Sequence, residues 1–164
     1  MYTRFTFLTI ALALSISQGF CSFENQTYQE LLKENYKCNL VKENVFLNKD
    51  QIKKIKEKVD FRVSALLLRY KNSCNNSFIY IDSHIVRTMN ETVVIELNKS
   101  DVKVLKIASF MEPKEYLPPQ KWLNQFQNKK VKVDGLTGAT ISENAIKRLV
   151  EKYIVIEKIL NDKV

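Results

Sequence analysis

Apolar residues recur at helical spacing near both ends of this chain and at strand spacing through its middle. From Gln26 to Tyr36 the chain is polar, with Tyr28, Leu31, Leu32 and Tyr36 near one face of a short helix. A loop containing Cys38 is expected next. Asn48 then offers an N-cap, with Gln51 as its capping-box partner. Behind it Ile52, Ile55 and Val59 form one apolar stripe on a Lys-rich helix whose charges read as a solvated face. From Val63 the period shortens. Val63 to Tyr70, Ser77 to Val86, Glu91 to Leu97 and Val102 to Phe110 are strand-like runs rich in Val, Ile, Leu and aromatics. Their connections are too short for parallel crossovers, so antiparallel pairing is expected. The fold class is α+β, an antiparallel sheet packed with helices.

The C-terminal part returns to helical spacing. Glu112 to Pro119 reads as a proline-rich loop, and Pro118-Pro119 can start a short helix from Gln120 to Phe126. Lys129 to Asp134 reads as a short strand. A final helix is expected from about Ser142 to Leu160, burying Ala145, Ile146, Leu149, Val150, Tyr153, Ile156 and Leu160. No internal repeat or domain linker interrupts this order.

The N-terminus changes the picture of where the protein works. Arg4 precedes an apolar stretch, Phe5 to Ile16, too short to span a bilayer, and small residues follow at Ser15, Ser17 and Gly19. That is the pattern of a cleavable export signal ending after Ser17 or Gly19. Cys21 invites lipidation, but Phe20 is bulky where a lipobox needs a small residue. The expectation is therefore a soluble, exported, periplasmic protein. An oxidising compartment permits a disulfide between Cys38 and Cys74, although spacing alone does not say whether they meet.

Charge and composition narrow the chemistry. Lys and Arg number 26 against 18 Asp and Glu, giving +8. The lysines are spread along helices and loops with no nucleic-acid signature, so an acidic protein partner is expected rather than nucleic acid. No CxxC or CxxCH suggests a dithiol or haem site, and a single His with scattered Cys does not make a conventional zinc site. The Asn-x-Ser/Thr patterns at Asn25, Asn75, Asn90 and Asn98 read as composition. No Ser-His-Asp order or paired carboxylates point to a hydrolase.

The densest chemical signal is Asp134-Gly135-Leu136-Thr137-Gly138-Ala139-Thr140, followed by Ile141-Ser142 and a helix. Helix N-termini attract anions through unpaired N–H groups and the macrodipole. Gly138 and Ala139 let a phosphate approach the backbone, and Thr140 places a hydroxyl beside it. A turn followed by an N-cap is the plainer reading of the same residues. Ser142 reads as the N-cap of the final helix or an alternative attachment point, and Asp134 as a turn residue or a metal ligand during attachment.

Asp134, Thr137, Gly138, Ala139 and Thr140 resemble the flavinylation signature of the FMN-binding domain family, which includes covalent-flavin subunits of the sodium-pumping NADH:quinone oxidoreductase and of the Rnf complex. Upstream, Ser83-His84-Ile85-Val86-Arg87-Thr88, Glu91-Thr92, Phe110 to Pro118 and Trp122-Leu123-x-Gln125-Phe126 resemble its short, exported, single-domain branch. Ser83 departs from the Thr expected there and keeps the hydroxyl. With the leader read as a signal over residues 1–19 and an N-terminal helical segment over 20–44, the resemblance implies an FMN-binding domain over 45–164. It implies FMN joined through its phosphate to Thr140 by an FAD:protein FMN transferase. The loop bearing Glu112, Tyr116 and Leu117 would then approach the flavin ring, with Tyr116 and Leu117 as first contacts. Trp122 reads equally as core, sharing a face with Phe126. Arg87 is placed to hold the phosphate or the electron-rich ring edge, or to make a structural salt bridge. His84 completes the candidates, with a structural role as the plainer reading. The expected function is electron relay with a redox partner, a cytochrome or a membrane flavin/quinone oxidoreductase. The rivals are a flavin-dependent reductase of a small substrate and a non-redox module binding a phosphate ligand.

Overall fold

The computed structural model describes residues 26–129 and 133–162. The leader region and Cys21 lie outside the described residues, as do residues 130–132 of the short strand expected from Lys129 to Asp134; Lys129 ends a 3-10 segment, and Val133 and Asp134 are not in a strand. The elements run α1 (Tyr28–Asn35), β1 (Leu40–Phe46), α2 (Lys49–Lys56), β2 (Leu66–Asn72), β3 (Phe78–Ile85), β4 (Asn90–Asn98), β5 (Asp101–Phe110), α3 (Gln120–Leu123) and α4 (Thr140–Asn161). The strands form one five-stranded antiparallel sheet in the order β1-β2-β3-β4-β5. The α+β expectation holds, with β1 added where the sequence suggested a loop. Its alternation is interrupted by Lys42, Glu43 and Asn44, which suits an edge strand rather than a central one.

Local signals explain the helix starts. Thr27 with Glu30, and Asn48 with Gln51, each form a complete capping box. Two faces of the sheet are then covered unequally. On one face α2, α3 and α4 pack over a core that includes Ile55, Tyr80, Ile95, Leu105, Leu123, Ile146, Leu149 and Ile156. On the other, α1 places Leu31 and Leu32 against Ile79, Val94 and Ala108.

The end of the sheet at the β2–β3 turn is held covalently and by hydrogen bonds. Cys38 and Cys74 form a disulfide. The buried Glu96 carboxylate accepts from Tyr36 Oη at 2.9 Å, Asn75 Nδ2 at 3.2 Å and Ser77 Oγ. Together these tie the end of α1 and the entry to β1 to the turn. Among the described residues, no helix is long and apolar enough to cross a membrane.

The disulfide bridges a separation of 36 residues. Opening a loop of that order costs about 2–4 kcal/mol. Cys38→Ser is expected to lower the urea midpoint accordingly. Reductant should lower the wild-type midpoint to match and leave the variant unchanged.

Candidate functional site

The register of α4 on the sheet decides which residues meet. Tyr153 Oη donates to Asp82 Oδ2 at 2.8 Å, and Lys152 Nζ is ion-paired to the same carboxylate. One turn further along α4, Tyr80 Oη donates to Glu157. Moving from Tyr80 to Asp82 on β3 thus corresponds to moving from Glu157 back to Tyr153 on α4, so the two elements run antiparallel. The stretch from Lys152 back to Thr140 spans about 18 Å. From Asp82 forward to the end of β3 at Ile85 is about 10 Å, and the hairpin turn holding Arg87 lies beyond it. The tip of the β3–β4 hairpin therefore lies at the same end of the domain as Thr140, opposite the disulfide.

That hairpin tip is built around a carboxylate. Glu112 Oε1 accepts from the backbone N–H groups of Arg87 at 3.3 Å, Thr88 at 2.7 Å and Met89 at 2.8 Å. The amides of Thr88 and Met89 hold its carboxyl below the usual range. This anchors the loop after β5 to the hairpin. In the same loop Tyr116 lies under Arg87, whose Cζ is 3.9 Å from the ring centroid. Tyr116 and Leu117 are partly buried against the main core. The structure therefore brings Arg87, Glu112 and Tyr116 into one cluster.

The turn from Asp134 to Thr140 is held by neighbours that motif reading did not assign. Trp122 Nε1 donates to the Asp134 carbonyl at 2.7 Å, and the Asp134 N–H donates to Gln125 Oε1 at 3.0 Å. Glu143 Oε2 accepts from the Leu136 N–H at 2.6 Å, and its other oxygen is ion-paired to Lys147. The available signal for Glu143 was an acid in the first turn of an expected helix. Trp122 is buried in the core with its ring edge-on to Phe126, its indole N–H serving the turn.

Gly138 has φ +85, and a Cβ built there would meet nothing within 4 Å. The glycine is required by the backbone conformation rather than by crowding, and the space beside it is open. Helix α4 begins two residues earlier than expected, at Thr140. Ala139 occupies the N-cap position and no side chain caps the helix. Ser142 is therefore not the N-cap. It lies inside the first turn at 1% exposure, its Oγ buried and without a hydrogen-bond partner among the described residues. Thr137 and Thr140 are exposed. An uncapped helix start, an exposed hydroxyl at the first helical position and open space at a left-handed glycine fit a phosphate group.

His84 lies deeper, its side chain 9% exposed. Its Nδ1 is 3.1 Å from Asp82 Oδ1, and its Nε2 is 3.1 Å from Glu91 Oε2, close enough for an ion pair but poorly aligned for a hydrogen bond. Phe61 packs edge-on against the imidazole, and Lys152 lies 4.6 Å from the Phe61 centroid. Burial opposes charge on His84, but Asp82 and Glu91 outweigh it and raise its pKa to about 9. Burial likewise opposes the Asp82 carboxylate, yet His84, Lys152 and Tyr153 lower its pKa to about 2. Burial raises Glu91. Among the described residues, no group of His, Cys, Asp and Glu could hold a metal ion.

These features define an α+β domain with an anion-accepting turn before its longest helix. Residues 82–155 match the model of the FMN-binding domain family. FMN is its cofactor. The matched region takes in all the candidate residues from His84 to Ser142. No curated protein and no solved structure matches the chain.

Because His84 binds its proton more tightly when folded, its contribution is fully present below pH 6.5 and is lost as pH rises through about 9. Wild-type stability is expected to fall by up to about 3 kcal/mol across that window. His84→Gln should remove this pH dependence in denaturation curves. Asp82 acts in the opposite direction. Its stabilising contribution is present above pH 3.8 and is lost as pH falls through about 2.

Proposed function

We propose that this protein is an exported electron carrier holding FMN covalently through a phosphoester on Thr140. The observation that carries the reading is Thr140 itself: an exposed hydroxyl at the uncapped start of a 22-residue helix, just after a glycine with φ +85. The first-turn amides of α4 and its macrodipole favour the phosphate there. In attachment, the Thr140 oxygen would lose its proton to solvent and bond the FMN phosphorus of FAD, the phosphoanhydride bond breaking with AMP as the leaving group.

The surrounding residues have separate tasks. Trp122, Gln125 and Glu143 hold the turn in place through Asp134 and Leu136. Tyr116 and Leu117 supply apolar surface for the ring. Arg87, resting on Tyr116, supplies positive charge favouring an anionic reduced ring. When bound, FMN supplies acceptance of two electrons and their release one at a time. A covalent tether keeps the cofactor where a diffusible one would be lost.

Export is supported by the leader pattern and the Cys38–Cys74 disulfide. The partners in this reading are an FAD:protein FMN transferase for maturation and a cytochrome or membrane flavin/quinone oxidoreductase for exchange. The net positive charge assists a transient encounter with an acidic partner.

Intact mass spectrometry and in-gel fluorescence after co-expression with a flavin transferase test the attachment. Wild type and Ser142→Ala are expected to carry an FMN adduct that survives denaturation, and Thr140→Ala none. Absence of the adduct in wild type, with the transferase active on a control substrate, would remove the covalent reading.

A further inference from the structure

The two edges of the sheet are treated differently. On β5, the Gln26 N–H donates to the Ala108 carbonyl at 2.9 Å and Gln120 Nε2 donates to the Leu105 carbonyl at 2.9 Å. Both contacts serve backbone groups that an edge strand leaves open. On β1, no strand among the described residues pairs with the outer side. Natural edge strands are commonly blunted by proline, bulges or charged side chains. Strand β1 has no proline and its register against β2 is continuous, and its charges, Lys42 and Glu43, are confined to its middle. Phe46 is 75% exposed, its cross-strand partner Leu66 is 49% exposed, and Val41 is 48% exposed.

The direction of the free backbone groups follows from the ladder. Leu47 N–H donates to the Ala65 carbonyl, and Ser73 N–H to the Asn39 carbonyl, in the same register as β1–β2. Backbone groups alternate sides along a strand. The odd-numbered residues therefore point at β2, and Leu40, Lys42, Asn44 and Phe46 point outward.

We propose that β1 pairs antiparallel with β1 of a second copy, giving a two-fold symmetric dimer with one sheet continuous through both. The sequence of β1 is self-complementary in the register centred on Glu43. Leu40 then faces Phe46 of the second copy and Lys42 faces its Asn44, so every outward backbone group is paired. On the helix-covered face Val41 meets the second copy's Val45. The two Glu43 side chains meet on the axis, each already bonded to its own Arg69 at 2.9 Å, which offsets their repulsion. Registers shifted by two residues leave either Leu40 or Phe46 unpaired. An isologous contact of this kind closes on itself and leaves Thr140 and the hairpin tip of each copy exposed. One strand pair buries less than a standard interface, so the dimer is weak and exchanges with monomer.

Sedimentation equilibrium of the purified protein, from micromolar to millimolar concentration, tests this without requiring flavin. The mass is expected to rise from monomer toward dimer. Asn44→Pro removes an outward N–H that β2 does not use, and Phe46→Lys places a charge at the join. Each is expected to weaken association by at least about tenfold, or about 1.4 kcal/mol. Far-ultraviolet circular dichroism identifies any variant that fails to fold, and either variant suffices. A monomer throughout, or a dimer unchanged by a folded variant, would overturn the proposal.

Discussion

The buried contact between α4 and β3 is the constraint on which the rest of the site depends. Lys152 and Tyr153 both reach Asp82, and His84 approaches that carboxylate's other oxygen. A carboxylate this buried is costly to leave unpaired, so sliding α4 along the sheet would expose a large penalty at once. Hydrophobic packing around Ile146, Leu149 and Ile156 supplies attraction but tolerates small shifts. The polar partners turn that attraction into one register. That register carries Thr140 to the level of the β3–β4 hairpin tip.

The turn before α4 is positioned by a second set of contacts independent of the first. Trp122 and Gln125 bind the carbonyl and the N–H of Asp134, and Glu143 reaches back to Leu136. None of these bonds uses the Thr140 hydroxyl. The helix start is thus supported from beneath while its outer side stays open, an arrangement suited to a tethered anionic group. The hairpin follows the same logic. Glu112 spends its oxygen on backbone amides, leaving Arg87 to lie across Tyr116.

The two ends of the sheet have different duties. The Cys38–Cys74 disulfide and the Glu96 cluster consolidate the β2–β3 end, far along β3 from the end that carries Thr140. The disulfide staples the end of the sheet opposite Thr140. Covalent and hydrogen-bonded cross-links gather at that end, while loops and an uncapped helix terminus lie at the other.

Much of the fold was legible in the chain because its determinants are local. Strand-like runs named β2 through β5, the Asn48–Gln51 capping box named the start of α2, and apolar spacing named α1 and the buried side of α4. Strand β1 was missed because its polar middle belongs to an edge, and being an edge is a property of the whole sheet. The turn motif from Asp134 to Thr140 was legible because glycine and hydroxyl positions carry their meaning in the backbone itself. The helix start was misplaced by two residues because Ser142 has N-cap chemistry but faces inward. The sequence by itself determined the fold class and the resemblance to the FMN-binding domain family. Only the tertiary structure decided that Glu112 and Arg87 share a cluster, that Glu143 and Trp122 hold the turn, and that His84 is buried between two carboxylates. Those partners are far apart in sequence, and no local periodicity encodes which distant charge a buried one will meet.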